Sequence, residues 1–331
     1  MLAGRRRREG GGHRAQSHRR DGAAAAVAGA WLSAVVVAAM AAVATIAFAG
    51  AGAGAASGAS APPYLLALGG SASVGFQPTA AHPRGQPTDD GYAEDLVPLE
   101  QRRWPGLTVV HLGCPGATTV TVLDGGGHCH YPEGTQLAAA QDFLRTHPTT
   151  VLVTVDLGFN DLLPCLRHHI LDEACVDGAL ATVHAQLGPI LAAIKQAAPA
   201  GALVVGVGHY DPYLGDYLEG ASGQAFAAAS LGVMERLDAT LRSDYESAGV
   251  AMADVAAAFD LTDRNQVAWS GTGTVPSDVA RTCALTWMCD PPPLGHNPHP
   301  DDDGYRTIAA AIAEVVAGSS DGSDDGAAGT G

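Results

Sequence analysis

The stretch YLLALGGSASVG, residues 64–75, decides how the rest of the chain is read. The apolar run Tyr64–Leu68 suits a strand buried on both faces, as in a parallel sheet. Two glycines follow, then Ser71. The glycines allow a sharp bend and leave Ser71 Oγ exposed at the strand's end, the way nucleophilic serines are often presented. The same pattern also describes an ordinary strand-to-loop turn, so a nucleophilic Ser71 needs support from elsewhere in the chain.

Four further runs read as buried strands: Leu107–Leu112, Thr150–Leu157, Ala202–Gly208 and Val250–Asp254. Helical periodicity fills the gaps at Gly91–Arg102, Thr135–His147, Cys175–Ala198, Ala221–Ala248 and Asp303–Val316. This βαβα order predicts a doubly wound, three-layer α/β domain over residues 62–317. In such folds the site gathers beyond the carboxyl ends of the strands. Ser71, Gly116, Asn160 and His209 all follow predicted strands and are expected at that edge. Residues 260–298, rich in Pro, Thr and Asp, read as a long irregular loop. The tail 318–331 reads as a disordered acidic segment.

The 331 residues carry a formal net charge of −16. Seven arginines and two acids lie in residues 1–61, so the remainder, with 11 basic and 32 acidic residues, stands at −21. Such a body repels nucleic acid and anionic lipid surfaces, which excludes those partners. Residues 1–61 pair an Arg-rich start with an uncharged apolar run from about Gly22 to Ala49 and a small-residue linker. Two readings stand: a cleaved signal peptide, or an uncleaved membrane anchor with its basic end inside. Both place the body outside the cytoplasm, secreted or held at the outer face of the membrane. The six cysteines agree, since an even count in an exported chain suggests disulfides. Fifteen pairings are possible, and the short spacings favour Cys114–Cys129, Cys165–Cys175 and Cys283–Cys289. His128 and His130 flank Cys129 and read as loop histidines beside a disulfide rather than as a metal site.

Acyl transfer needs a nucleophile, a general base within hydrogen-bond reach and donors aimed at the developing oxyanion. Ser71 supplies the first candidate. Gly116 in HLGCPGATT (111–119) offers an unobstructed backbone N–H, and Asn160 in DLGFND (156–161) offers a side-chain amide. His299 in NPHPDDDGY (297–305) sits between two prolines just before the last helical pattern.

Those four blocks, in that order, resemble the SGNH hydrolases, also called the GDSL esterase/lipase family. The resemblance runs from Tyr64 to about Val316, and VGHYDPYLGDYL (207–218) with CALTWMC (283–289) is similar to the family's exported actinobacterial branch, which keeps three local disulfides. It implies a flavodoxin-like α/β/α sandwich and an esterase or lipase. In that enzyme Ser71 is the nucleophile and His299 the base. The N–H groups of Ser71 and Gly116, with the Asn160 amide, form an oxyanion hole. No metal or organic cofactor is implied, and the expected partner is a small-molecule or lipid ester met by a monomer.

Two positions depart from the family pattern. Gly70 stands where the GDS block has Asp, a residue that supports the nucleophile turn. His296 stands where the triad Asp is expected, three residues before His299. A backbone carbonyl in the 294–297 loop is therefore expected to hold His299 Nδ1–H, with Asp290 as the side-chain alternative. These departures keep a second class open, a catalytically weak SGNH-fold binding or cell-envelope protein. A carbohydrate O-deacetylase is a third reading, on the same chemistry. Tyr213, Leu214, Tyr217, Leu218 and Phe226 are candidates for an acyl groove, or for core. Asp301–Asp303 read as caps of the last helix rather than as a calcium site.

Overall fold

A computed structural model describes residues 61–269 and 273–321. The expectations for residues 1–60 and for 322–331 lie outside the described residues. Five parallel strands form the central sheet: β1 (Tyr64–Gly69), β2 (Thr108–His111), β3 (Thr150–Asp156), β4 (Leu203–Val207) and β5 (Ala251–Ala253). Their spatial order is β2-β1-β3-β4-β5. That is the flavodoxin-like arrangement, in which the order reverses beside β1 and opens a crevice at the strands' carboxyl ends.

The long helices are α1 (Tyr92–Glu100), α2 (Gln136–Thr146), α3 (Glu173–Ala197), α4 (Ala221–Ser247) and α5 (Asp302–Asp321). Successive strand residues point to opposite faces, and both faces of β1 are apolar. Leu66 and Leu68 join Val153 and Val155 of β3 in a core shared with α2 and α3. Leu65 and Ala67 join Leu152 in a second core shared with α1 and α5. The sheet is thereby covered on both sides, as its continuous apolar strands require.

The region 260–298 is more regular than its composition predicts. Gln266–Trp269 pairs antiparallel with Gly273–Pro276, and a helix covers Ser277–Leu285. Proline, threonine and aspartate obscure a sparse set of apolar residues, Val275, Val279 and Leu285, that are buried in the second core. A short helix at Thr119–Asp124 and a hairpin of Leu166–Arg167 with Ile170–Leu171 also escape the periodicity, being too brief to show one. Helix α5 runs to Asp321, so residues 318–321 of the expected tail are helical. All three sequential disulfides are formed, Cys114–Cys129, Cys165–Cys175 and Cys283–Cys289. No helix among the described residues is long and apolar enough to cross a membrane.

Leu152, at the centre of the sheet, has no exposed surface. Leu152→Ala is expected to lower unfolding stability by about 2–5 kcal/mol, the range for truncating a core leucine, measured by denaturant unfolding.

Candidate active site

The chain turns sharply at the end of β1. Gly70 N–H donates to the Asp156 carbonyl at 3.0 Å, continuing the sheet for one more bond. The buried Gln136 amide clasps Gly69 at both ends, accepting its N–H at 2.9 Å and donating to its carbonyl at 3.1 Å. Ser71 then opens a single 3-10 turn over Ala72–Val74, its carbonyl accepting from Val74 and Phe76. Ser73 Oγ donates to the Gly70 carbonyl at 2.7 Å, a local turn bond. The Ser73 carbonyl accepts from His111 Nδ1 at 2.7 Å, while His111 Nε2 meets Glu94 at 2.6 Å. Both nitrogens face acceptors, and the Glu94 bond raises the His111 pKa.

A Cβ placed on Gly70 would lie 2.8 Å from Asn160 Nδ2, so the Asn160 amide occupies the space a side chain there would need. The same Cβ would lie 3.8 Å from Asp156 Oδ2. A carboxylate therefore does stand beside the turn, although it comes from the end of β3 and not from position 70. Burial raises the Asp156 pKa. The charge of His209, and hydrogen bonds from the backbone N–H groups of Ser73 and Gly70, oppose that rise. His209 Nδ1 is 3.6 Å from Asp156 Oδ1, and its Nε2–H donates to the Leu157 carbonyl at 3.0 Å.

His299 reaches the turn from the opposite end of the chain. Its Nε2 is 2.9 Å from Ser71 Oγ. Its Nδ1 is 2.6 Å from Asn297 Oδ1, which also accepts the His299 backbone N–H at 3.2 Å. Asn297 is buried, and its Nδ2 faces the Arg84 carbonyl at 3.5 Å, which leaves the amide oxygen for the imidazole. Nδ1 therefore carries the proton and Nε2 presents a lone pair to Ser71. Neither expected orienter is used. The backbone carbonyl of the 294–297 loop gives way to the Asn297 side chain, and Asp290 is not the partner of Nδ1. His296 turns instead towards Glu219, at 3.4 Å.

The rest of the loop is braced around this pair. The Pro298 carbonyl accepts from Tyr210 Oη at 2.7 Å, and the His299 carbonyl accepts from Trp287 N–H at 3.1 Å. The Phe76 ring packs at 4.7 Å from the imidazole. Burial without a carboxylate neighbour pushes the His299 pKa down to about 4. The imidazole is thus neutral at physiological pH and able to accept a proton.

Ser71, Gly116, Asn160 and His299 line one cleft of about 200 Å³. Gly116 adopts the left-handed φ of +78° that favours glycine, at an exposed bend beyond β2. Asn160 Nδ2 donates to the Ala117 carbonyl at 2.9 Å, which ties the Asn160 and Gly116 segments together. The Asp161 carboxylate accepts from Thr119 N–H and Oγ1. His209 and Tyr210 join the lining, whose apolar wall includes Phe76, Pro115, Leu157, Phe159, Leu163 and Pro298. None of the expected acyl-groove residues lines this cleft. Leu214 and Phe226 are buried, Tyr213 and Tyr217 pack against the cores, and Leu218 is exposed. Asp301 caps α5 by accepting the Gly304 N–H at 2.8 Å, as expected.

Three contributors escaped the sequence reading: Asn297, Asp156 and Gln136. Asn297 had a signal, since an Asn two residues before a His commonly closes a side-chain turn onto the backbone. Asp156 also had one, as a charged residue ending an otherwise apolar strand. Gln136 had none beyond its place at the start of a helix.

The family model of the GDSL-like lipase/acylhydrolase family matches residues 67–307. The chain belongs to this family, whose motif order it carries from Ser71 to His299. Among solved structures it is similar to an extracellular lipase from Streptomyces rimosus, at 20% identity over 77% of this chain and 99% of that one, TM-score 0.48. It is also similar to a phospholipase A1 from Streptomyces albidoflavus, at 19% identity over 77% and 99%, TM-score 0.46. A GDSL-like lipase from Parabacteroides merdae is 14% identical over 77% and 96%, TM-score 0.49. No curated protein matches the chain.

The His299 environment makes a direct prediction. In an NMR titration its imidazole is expected to stay neutral down to about pH 4. Asn297→Asp places a negative charge at Nδ1, favours the imidazolium and should move that titration to higher pH.

Proposed function

We propose that this chain is an exported serine hydrolase that cleaves carboxylic esters of short acyl chains. The observation that carries the reading is the 2.9 Å contact of Ser71 Oγ with a neutral His299 Nε2 whose other nitrogen is held by Asn297. His299 takes the Ser71 proton as Oγ attacks the ester carbonyl. The N–H groups of Ser71 and Gly116 and the Asn160 amide receive the oxyanion. The imidazolium then protonates the leaving alcohol, and the same nitrogen activates a water that releases the acid and restores Ser71. Asn297 orients the imidazole but brings no negative charge to the imidazolium. The cycle therefore runs with less electrostatic support than a carboxylate gives.

The catalytically weak alternative rested on Gly70 and on the missing triad Asp. The Asp156 carboxylate beside the turn and the Asn297 amide at Nδ1 both argue against it. The small cleft favours acetyl and butyryl groups over long chains, and so an esterase, or a deacetylase acting on acetylated glycans, over a lipase. The three disulfides fit an oxidising compartment.

The first test is hydrolysis of p-nitrophenyl esters from acetate to palmitate by the purified chain. Activity should peak at the short end and vanish in Ser71→Ala and His299→Ala. A folded protein with no activity, and no labelling of Ser71 by an organophosphonate, would overturn the proposal. Two variants test the supporting residues. Asn297→Ala is expected to lower kcat by roughly 10- to 100-fold with little change in KM, because a base left free to rotate loses its near-attack geometry. Asp156→Asn should lower kcat by a similar factor of about 10–100 through a slackened Ser71 turn. The acid limb of kcat/KM should lie near pH 4, well below that of an ordinary histidine, and Asn297→Asp should move it upward.

A further inference from the structure

Away from the cleft, three segments distant in sequence bring nitrogen and oxygen donors together. His169 comes from the turn of the 166–171 hairpin. Asp216 and Glu219 come from the 3-10 segment Pro212–Glu219 that follows β4, and His296 comes from the loop that continues to Asn297 and His299. One donor atom from each of His169, Asp216 and Glu219 lies within 4.8 Å of the others. We infer that His169, Asp216 and Glu219 form a Zn²⁺ site, with His296 at its edge through its contact with the other Glu219 oxygen.

The distances separate this group from an ordinary ion-pair cluster. Two histidine–carboxylate pairs elsewhere close to hydrogen-bond length, 2.6 Å for His111–Glu94 and 2.6 Å for His184–Asp244, while His209–Asp156 stays at 3.6 Å; none of these brings a second carboxylate to the same ring nitrogen, as His169 does. Here His169 Nε2 stands 3.4 Å from Asp216 Oδ2 and 3.3 Å from Glu219 Oε2, and His296 Nδ1 stands 3.4 Å from Glu219 Oε1. A tetrahedral Zn²⁺ with bonds of about 2.0–2.2 Å holds its ligand atoms roughly 3.3–3.6 Å apart, the spacing His169 keeps to both Asp216 and Glu219. An imidazole with two carboxylates, and a second imidazole beside one of them, suits zinc better than the all-oxygen shells of Ca²⁺ or Mg²⁺.

Burial supplies an independent argument. The Asp216 side chain is only 7% exposed, and no hydrogen bond to its carboxylate is found among the described residues. His169 is held in place by the Phe226 ring at 5.2 Å. It also sits in a turn where His168 and His169 both have positive φ, 54° and 57°, a conformation usually left to Asn and Gly. Glu219 and both histidines keep some solvent access, so an ion has a route in. The ion would not touch the reacting ester. It would fasten the hairpin and the 3-10 segment to the loop that carries Asn297 and His299.

The test loads the purified, EDTA-stripped full-length chain with Zn²⁺ alone, and reads bound metal after dialysis together with thermal unfolding. One Zn²⁺ per chain and a raised Tm are expected, since a ligand held only by the folded state stabilises it. His169→Ala and His296→Asn, both near the surface and on different segments, should each weaken binding by about tenfold or more and remove the Tm shift, while a His128→Ala/His130→Ala double variant should bind normally. Absence of bound zinc would overturn the site. So would zinc that is retained equally by both single variants with unchanged Tm shift, which would place the metal on other histidines.

Discussion

Asp156 ends β3 with its backbone carbonyl bonded to Gly70 and its carboxylate buried beside the turn that carries Ser71. The constraint radiates from there. Burial first, and then the charge of this carboxylate among others, raises the pKa of Tyr92, Tyr210, Tyr245 and Tyr305, which surround it from both faces of the sheet. Those tyrosines spend their hydroxyls on fixed partners. Tyr245 donates to the Val155 carbonyl, Tyr305 to the Phe76 carbonyl and Tyr210 to the Pro298 carbonyl, while Tyr92 pairs with Thr154. A single buried charge thus sits in a frame that ties β3, the serine turn and the histidine loop to one another. Removing such a charge's partners is far more damaging than removing an exposed ion pair.

The pairing of Ser71 with His299 follows a different electrostatic logic. The base is kept neutral by burial, and it is aligned by a neutral amide. A carboxylate in place of Asn297 would raise imidazole basicity and stabilise the imidazolium, at the cost of burying a charge. The amide avoids that cost and leaves alignment as its main contribution. Alignment is secured by the second bond from Asn297 to Arg84, without which either end of the amide would satisfy the pocket.

Much of this was legible in the sequence because periodicity and punctuation agree there. The five strands fall within a residue or two of their apolar runs, Ser71, Gly116 and Asn160 each follow a strand, and His299 precedes the last helix. Ser71, Gly116 and Asn160 meet at one edge because parallel strands deliver their carboxyl ends together, and the loop before α5 brings His299 to them. What was not legible depends on space rather than order. Nothing local says that the Asp156 carboxylate stands beside the Gly70 turn, since the two segments are neighbours only across the β1–β3 ladder. Asn297 lay inside the 294–297 loop, yet a backbone carbonyl of that loop was expected at Nδ1, with Asp290 as the alternative, and only the loop's path brings the Asn297 amide there instead. The 260–298 region misled for the opposite reason. Its polar residues are common in loops, whereas its few apolar ones, Val275, Val279 and Leu285, are the ones that pack.

The disulfides bear on how the chain matures. Their partners are 15, 10 and 6 residues apart, so each bridge closes within a short stretch of the chain. Short loops contribute less entropy to stability than long ones, but they close quickly and leave few competitors. A chain emerging from its N-terminal end completes each pair before the next pair's first cysteine has appeared. Cys129 follows Cys114 ahead of Cys165, and Cys175 follows Cys165 ahead of Cys283. Local, sequential connectivity of this kind is the one that oxidation in chain order would give, with no bridge having to wait for a cysteine of another pair.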